Sequence, residues 1–114
     1  MPASLLSLTD RALEIRAHFN ATAVAAGRRP WTSTELAQGF AADVGALNKL
    51  IMMRAGLRNA PPDIDARLAH ELADCLWSVL VLAHEHGVDL EAAFSRTMAE
   101  IQRTGPAAPA SGKC

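Results

Sequence analysis

The sequence predicts an all-α protein built from four helices, and three observations support this. Apolar residues recur at helical spacing between clear breaks in the chain. The breaks are GRRP at 27–30, GLRNAPP at 56–62 and HG at 86–87, all rich in the Gly and Pro residues that end helices. No segment shows sustained alternation of apolar and polar residues, and the chain has no Tyr. We therefore predict no strands.

Residues that favour helix starts follow the breaks. The four helices are predicted over residues 10–26, 33–55, 63–86 and 90–103. Thr9 is a candidate N-cap for the first helix, and TSTEL at 32–36 is a capping-box signal for the second. Asp63 after Pro62 opens the third, and Asp89 caps the fourth. On the first helix we expect Leu13, Phe19 and Val24 to form the apolar side.

Length and composition favour one domain in the cytoplasm. The 114 residues predict a single all-α domain over 1–104 and a disordered Pro-, Ala-, Gly- and Ser-rich tail over 105–114. The net charge of -1 gives no reason to expect a nucleic-acid polymer as partner. Two cysteines form no disulfide framework. We identify no signal peptide and no membrane span, so a cytoplasmic protein without a membrane partner is expected.

The third helix is apolar almost all the way round. Its apolar residues are Leu68, Leu72, Leu76, Trp77, Val79, Leu80, Val81 and Leu82. A helix of this kind is buried on several sides, and four short helices cannot easily cover it. We therefore expect a homodimer or a dimer of dimers that assembles as a helical bundle, with this helix near the subunit interface.

Two carboxylates interrupt that apolar helix. Glu71 and Asp74 are three residues apart, so they lie on one face of the helix. Like charges there repel each other and lose hydration. One explanation is pairing with nearby arginines or partial solvation of the face; the candidate arginines are Arg54, Arg58 and Arg67. The other is a cation site, which needs further carboxylates from a neighbouring helix.

The second helix offers such a carboxylate in Asp43. It too lies in an apolar run, FAADVGALNKLIMM, and is the only acid between Glu35 and Asp63. Gly45 costs the helix about 1 kcal/mol relative to Ala, so we expect it to allow close approach of another backbone. An antiparallel pairing of helices two and three would turn Asp43 toward the other two acids. The expected metal is Mg²⁺, which prefers hard oxygen ligands.

The order of these segments resembles a known family. ADVGAL on one helix, HELADCLWSVLVLA on the next and GVDLEAAFSRTM after it are similar to the MazG-like all-α nucleoside triphosphate pyrophosphohydrolases. The resemblance covers roughly residues 12–101. It implies a helical fold that assembles at least as a dimer and binds Mg²⁺ through E-x-x-E and E-x-x-D motifs. It also implies hydrolysis of a nucleoside triphosphate, such as a deoxynucleotide or a damaged nucleotide in a house-cleaning role, to the monophosphate and pyrophosphate.

The family's acids match this sequence at three of four positions. By resemblance, Asp43, Glu71 and Asp74 are metal ligands, and Glu71 and Asp74 are the catalytic residues. The fourth acid falls on Ala46, which offers no ligand atom. Ser78 is a further departure, because many relatives have tyrosine there.

Candidate substrate-binding residues surround the three acids in the sequence. They are Trp31, Lys49, Trp77 and Arg96. Trp31 is a candidate for stacking on a nucleobase, or else a hydrophobic staple before the second helix. Trp77 is equally compatible with a core or interface position. We do not predict a zinc site at His84 and His86, since positive charge at a helix C-terminus is favourable without a metal.

Three functional classes stay open at this point. The first is an Mg²⁺-dependent nucleotide pyrophosphohydrolase, whose activity Ala46 would weaken. The second is a non-catalytic nucleotide-binding or regulatory homologue, and the third is a purely structural helical dimer. The three acids favour the first two classes over the third, and Ala46 favours the second over the first.

Overall fold

Four helices make up the fold, which is known from a computed structural model that describes residues 3–105. They are α1 (Leu5–Ala25), α2 (Ser33–Arg54), α3 (Ile64–Glu85) and α4 (Leu90–Thr104). The described range contains no strand, so the all-α prediction with four helices is confirmed. The predicted disordered tail lies outside the described residues except for Gly105. None of the helices in residues 3–105 is both long enough and apolar enough to cross a bilayer.

Local capping sets the helix starts, and three of them agree with the sequence prediction to within one residue. Thr32 and Glu35 form the predicted capping box at the start of α2. The side chain of Asp89 accepts a hydrogen bond from the backbone N–H of Ala92 at the start of α4. Asp63 precedes α3 as predicted, although its side chain makes no capping hydrogen bond.

The predicted start of the first helix is wrong. The helix begins at Leu5, because Ser4 and Ser7 form a capping box. Thr9 lies inside α1, where its hydroxyl donates to the carbonyl oxygen of Leu5 at 2.7 Å. The predicted apolar side is wrong as well. Ala12 is the buried residue of α1, whereas Phe19 and Val24 are more than half exposed.

Helices α2 and α3 form an antiparallel hairpin that is tied at both ends. At one end the Ser33 hydroxyl is 2.8 Å from Nε2 of His86. At the other end Nε of Arg54 donates to Oδ1 of Asp65 at 2.6 Å. These contacts fix the register of the two helices and bring the middle of α2 against the middle of α3, where the acids lie.

Helix α1 packs across α3 on a second side. The indole N–H of Trp77 donates to the carbonyl oxygen of Ala12 at 3.0 Å. The small core consists of Ala12, Leu36, Leu80 and Val81. Helix α4 meets the other helices only marginally, and none of residues 90–104 is fully buried. The site therefore depends on α1, α2 and α3.

Candidate functional site

Three carboxylates converge where α2 faces α3. Asp43 of α2 and Glu71 and Asp74 of α3 each offer an oxygen, and these atoms all lie within 4.8 Å of one another. Antiparallel pairing produces this arrangement, because the middle of α2 then lies opposite the N-terminal half of α3. Within residues 3–105 this is the only such group of three or more potential metal ligands.

Glu71 is the most enclosed of the three acids. Its Oε2 atom is buried and has no hydrogen-bond partner among residues 3–105. Burial raises the pKa of Glu71, and the negative charges of Asp43 and Asp74 raise it further. A buried oxygen without a partner is costly. A proton or a cation shared with the neighbouring acids would relieve that cost.

Arginine pairing does not account for the acid cluster. Arg54 binds Asp65 and Arg67 binds Asp63, both outside the cluster. The basic side chain that approaches the cluster is His70, whose Nε2 is 3.6 Å from Oδ2 of Asp74, one helical turn on. This contact was not predicted from the sequence. The four-residue spacing of His70 and Asp74 could have indicated this contact, because residues four apart are neighbours on a helix.

Cys75 lies beside the cluster without joining it. Its side chain is buried, and burial raises the pKa of the thiol, as do the charges of Glu71, Asp43 and Asp74. The thiol therefore stays protonated near neutral pH, and a protonated thiol is a poor metal ligand. The available donor set consists of carboxylate oxygens, the ligands preferred by Mg²⁺.

An aromatic cleft of about 380 Å³ opens beside Asp43 between α1, α2 and α3. Its aromatic walls are Phe19, Trp31, Phe40 and Trp77. Phe19 and Trp77 meet edge to face with ring centroids 5.7 Å apart. Polar side chains also belong to the lining, including Arg16, Asn20, Thr22, Arg28 and Ser78. The cleft can accept a flat apolar ring whose attached groups reach the acids.

Trp31 forms the exposed wall of this aromatic cleft. Its side chain is 56% exposed, and its ring lies against Gly39 of α2. Nη2 of Arg16 donates to the carbonyl oxygen of Trp31 at 2.9 Å, while Nε of Arg16 binds Glu85. Contacts with two helices thus hold Trp31 in place, while more than half of the residue stays exposed.

A second cleft, with a volume of about 490 Å³, opens beside Glu71 and Ala46. Apolar side chains make up most of its lining. Lys49, Arg67 and His70 also line it, but Arg67 is already paired with Asp63. Lys49 is the remaining permanently charged base of this lining that could meet a phosphate oxygen, so we call this surface the Lys49 cleft.

The predicted substrate-binding residues are distributed unevenly over this surface. Trp31 and Trp77 line the aromatic cleft, and Lys49 lines the second cleft. Arg96 belongs to α4, which contributes no residue to either cleft. Sequence reasoning missed Phe40 and Asn20, because nothing in their local pattern distinguishes them from other helix residues.

The expectation for Gly45 is wrong. A Cβ atom added at Gly45 would meet nothing within 4 Å, so no backbone approaches closely there. The glycine that does permit a close contact is Gly39, whose added Cβ would lie 2.9 Å from Cζ3 of Trp31.

Comparison of the chain with family models, curated proteins and solved structures finds no match.

Proposed function

We propose that this protein is an Mg²⁺-dependent nucleotide pyrophosphohydrolase that converts a nucleoside or deoxynucleoside triphosphate to the monophosphate and pyrophosphate. One observation carries the proposal: Asp43, Glu71 and Asp74 converge around a buried oxygen without a hydrogen-bond partner among residues 3–105, with an aromatic cleft beside Asp43. The segment order that resembles the MazG-like family adds independent support from sequence.

The donor set fits Mg²⁺ in type and in spacing. Opposite oxygen ligands of an octahedral Mg²⁺ stand about 4.2 Å apart, close to the 4.8 Å within which the three carboxylate oxygens lie. Asp43, Glu71 and Asp74 would hold the ion, and phosphate oxygens would complete its shell. When bound, Mg²⁺ would offset phosphate charge and lower the pKa of a water molecule.

Glu71 and Asp74 are the proposed catalytic residues. Burial and the charges of Asp43 and Asp74 raise the pKa of Glu71 in the protein without an ion, and a bound cation would oppose that shift. Glu71 would accept a proton from water as the water oxygen bonds to the α-phosphorus. The bond from that phosphorus to the bridging oxygen would break, and pyrophosphate would leave. Asp74 would orient the water, and Nε2 of His70 lies 3.6 Å from its Oδ2 atom.

The two clefts support a division of the substrate. The base would stack in the aromatic cleft against Trp31, which typically contributes about 1–3 kcal/mol. The leaving phosphates would extend past Glu71 toward Lys49. The α-phosphate would then lie beside the acids. A nucleotide therefore matches the surface better than a phosphate compound without an aromatic ring.

A second candidate function is nucleotide binding without hydrolysis. The observation in its favour is Ala46, which lines the Lys49 cleft beside Glu71 but has no ligand atom. A mechanism that needs a fourth acid as metal ligand or base would be lost. Binding through the two clefts and a single Mg²⁺ would persist. The two functions differ in turnover and not in affinity.

Pyrophosphate release from a panel of ribo- and deoxynucleoside triphosphates, with and without Mg²⁺, tests the proposal. The parent is compared with Asp74→Asn and with the control Asp65→Asn, an exposed acid on the same helix that binds only Arg54. We expect Mg²⁺-dependent turnover in the parent and the control, and a loss of about 10²-fold or more in Asp74→Asn.

Binding measurements on the same proteins separate the remaining classes. Nucleotide binding that needs Mg²⁺ and Asp74, without turnover, would support the binding protein. Absence of both binding and turnover in a correctly folded parent would reject both functions and leave the structural helical dimer. Equal turnover in Asp74→Asn and Asp65→Asn would remove the acid cluster from the mechanism.

A further inference from the structure

The aromatic cleft contains a buried hydroxyl group that the rest of the fold leaves unused. Ser78 lines this cleft and is only 3% exposed, the one buried polar residue among residues 3–105. Its hydroxyl makes no hydrogen bond within that range, not even to the carbonyl oxygen one turn back, which is the bond that Thr9 makes in α1. Buried polar groups normally have a partner, so the hydroxyl of Ser78 calls for one in the cleft.

The oxygen of Ser78 can be reached from the cleft. Oε2 of Glu71 is the one side-chain oxygen or nitrogen in residues 3–105 that is both closed off and without a hydrogen-bond partner. Ser78 also has no partner, but its oxygen is not closed off in this way, so it keeps access to the cleft that the residue lines. A ligand atom in the cleft can therefore form a hydrogen bond with it.

The other polar side chains of the cleft, apart from Asp43 of the acid cluster, are engaged already or lie nearer to solvent. Arg16 forms an ion pair with Glu85. The remaining ones are partly buried or exposed, namely Asn20, Thr22 and Arg28. Ser78 is thus the deepest uncharged polar group that the cleft offers to a ligand.

Ser78 lies close to the acid cluster. It follows Asp74 by four residues on α3, so the two side chains are neighbours on one face of the helix. One helical turn advances about 5.4 Å along the axis. Asp43 lines the same cleft as Ser78. A phosphorus atom held beside the acids therefore has the hydroxyl of Ser78 about one helical turn away.

This separation suits the sugar of a nucleotide. The sugar is joined to the α-phosphorus through its 5′-carbon, and the 3′-hydroxyl is then about one helical turn from that phosphorus. The base extends beyond the sugar toward Trp31, which is 56% exposed. The deep part of the cleft therefore faces the sugar, and its exposed rim faces the base.

We propose that Ser78 forms a hydrogen bond with the 3′-hydroxyl of the bound nucleotide and thereby makes the protein selective for a sugar with that group. The inference rests on the proposed function, which puts the α-phosphate beside the acids. The substrate class is then a nucleotide with a free 3′-hydroxyl, of the ribo or the deoxyribo type. Selectivity among bases is weaker, because the base lies at the exposed rim.

Isothermal titration calorimetry of the full chain in the presence of Mg²⁺ tests this contact. The probes are the four deoxynucleoside 5′-monophosphates and their 2′,3′-dideoxy counterparts, which differ only in the 3′-hydroxyl. The parent is expected to bind the first set about 10-fold more tightly, as one hydrogen bond can provide. Ser78→Ala should lose this preference and keep the affinity of the parent for the dideoxy set.

The matched control is Ser95→Ala, the same substitution at an exposed position of α4 that lines neither cleft. It should keep the preference of the parent. Circular dichroism and urea unfolding check that Ser78→Ala is folded. No loss of stability is expected, because the substitution removes an unpaired hydroxyl and Ala favours helix.

Equal binding of the two sets by a parent that binds nucleotides would overturn the inference, since the hydroxyl of Ser78 then does not meet the sugar. An equal loss of affinity for both sets in Ser78→Ala would overturn it as well, because the contact then involves another part of the ligand. A parent that binds neither set also contradicts it. Pyrophosphate release from nucleoside triphosphates by that parent decides separately whether the proposed function fails too.

Discussion

The indole ring of Trp31 lies on the backbone of Gly39, one turn and a half into α2. A Cβ atom added at Gly39 would stand 2.9 Å from Cζ3 of Trp31, closer than real side chains approach each other. The position of Trp31 in the wall of the aromatic cleft thus depends on the absence of a Cβ atom at Gly39. Gly45, six residues later on the same helix, has open space around it, so the two glycines form a matched pair.

The first prediction uses this pair. Gly45→Ala should stabilise the protein by about 0.5–1 kcal/mol, the usual gain in a helix interior. Gly39→Ala should gain less or lose stability, because the indole must shift, and it should also weaken nucleotide binding. Urea unfolding and equilibrium binding measure the two effects. Equal stabilisation in both variants, with unchanged binding, would show that the contact with Trp31 has no consequence.

The second prediction concerns Ala46, which lines the Lys49 cleft with Glu71. Ala46→Glu supplies the fourth carboxylate that the family pattern contains, and Glu is nearly as good a helix former as Ala. Without metal, the added charge should lower the free energy of unfolding by like-charge repulsion. Mg²⁺ should offset that loss, and pyrophosphate release should rise by about 10²-fold or more.

Ala41→Glu is the control for this experiment. Ala41 is an exposed residue of α2, two positions before Asp43 and about 160° round the helix from it. It should change neither Mg²⁺ dependence nor turnover. If Ala46→Glu behaves like Ala41→Glu while the parent already turns over quickly, three acids suffice. If neither variant nor the parent acts on any nucleotide, the binding protein is favoured.

The third prediction follows from the pKa of Glu71, which is raised above the ordinary 4.5, first by burial and then by Asp43 and Asp74. The folded protein therefore binds this proton more tightly than the unfolded chain. Without metal, the contribution of Glu71 to stability is greatest below about pH 4.5 and declines as pH rises through the raised pKa. Mg²⁺ should counteract the decline, because it replaces the proton.

Glu71→Gln measures this effect directly. Urea unfolding at a series of pH values should show that the free energy of unfolding falls less with rising pH in the variant than in the parent. Mg²⁺ should also stabilise the variant less. Glu35 makes the opposite contribution to the pH dependence of stability, since hydrogen bonds from Arg29 and then Thr32 lower its pKa to about 2. It is present in both proteins and cancels in the comparison. Identical pH dependence and identical Mg²⁺ shifts would contradict the assigned role of Glu71.

The fourth prediction concerns Arg16, which joins three parts of the fold through Glu85 and the carbonyl oxygen of Trp31. Its side chain is only 12% exposed. Arg16→Met keeps the aliphatic stem and should cost about 1–3 kcal/mol, because it leaves charged and carbonyl groups unpaired. The control Arg54→Met removes an exposed ion pair with Asp65 and should cost less than about 1 kcal/mol. Equal costs by urea unfolding would contradict the bridging role.

The sequence by itself determined the helical class and most helix ends, because the signals involved are local. Thr32, Glu35 and Asp89 act on backbone groups within three residues. The first helix was misjudged because Ser7 is a less common partner in a capping box than Glu or Gln. The candidate acids could also be chosen from sequence, since an ionisable residue inside an apolar run is costly without a partner.

Only the tertiary structure decided what those residues meet. The pairing of α2 with α3 brought Asp43 to Glu71 and Asp74 and left Oε2 of Glu71 without a partner. It also placed Trp31 in close contact with Gly39 and left open space beside Gly45. Such contacts depend on the rotation and register of one helix against another. The rotation and register of two packed helices depend on the shapes of all the side chains along their interface. No short stretch of sequence therefore encodes them.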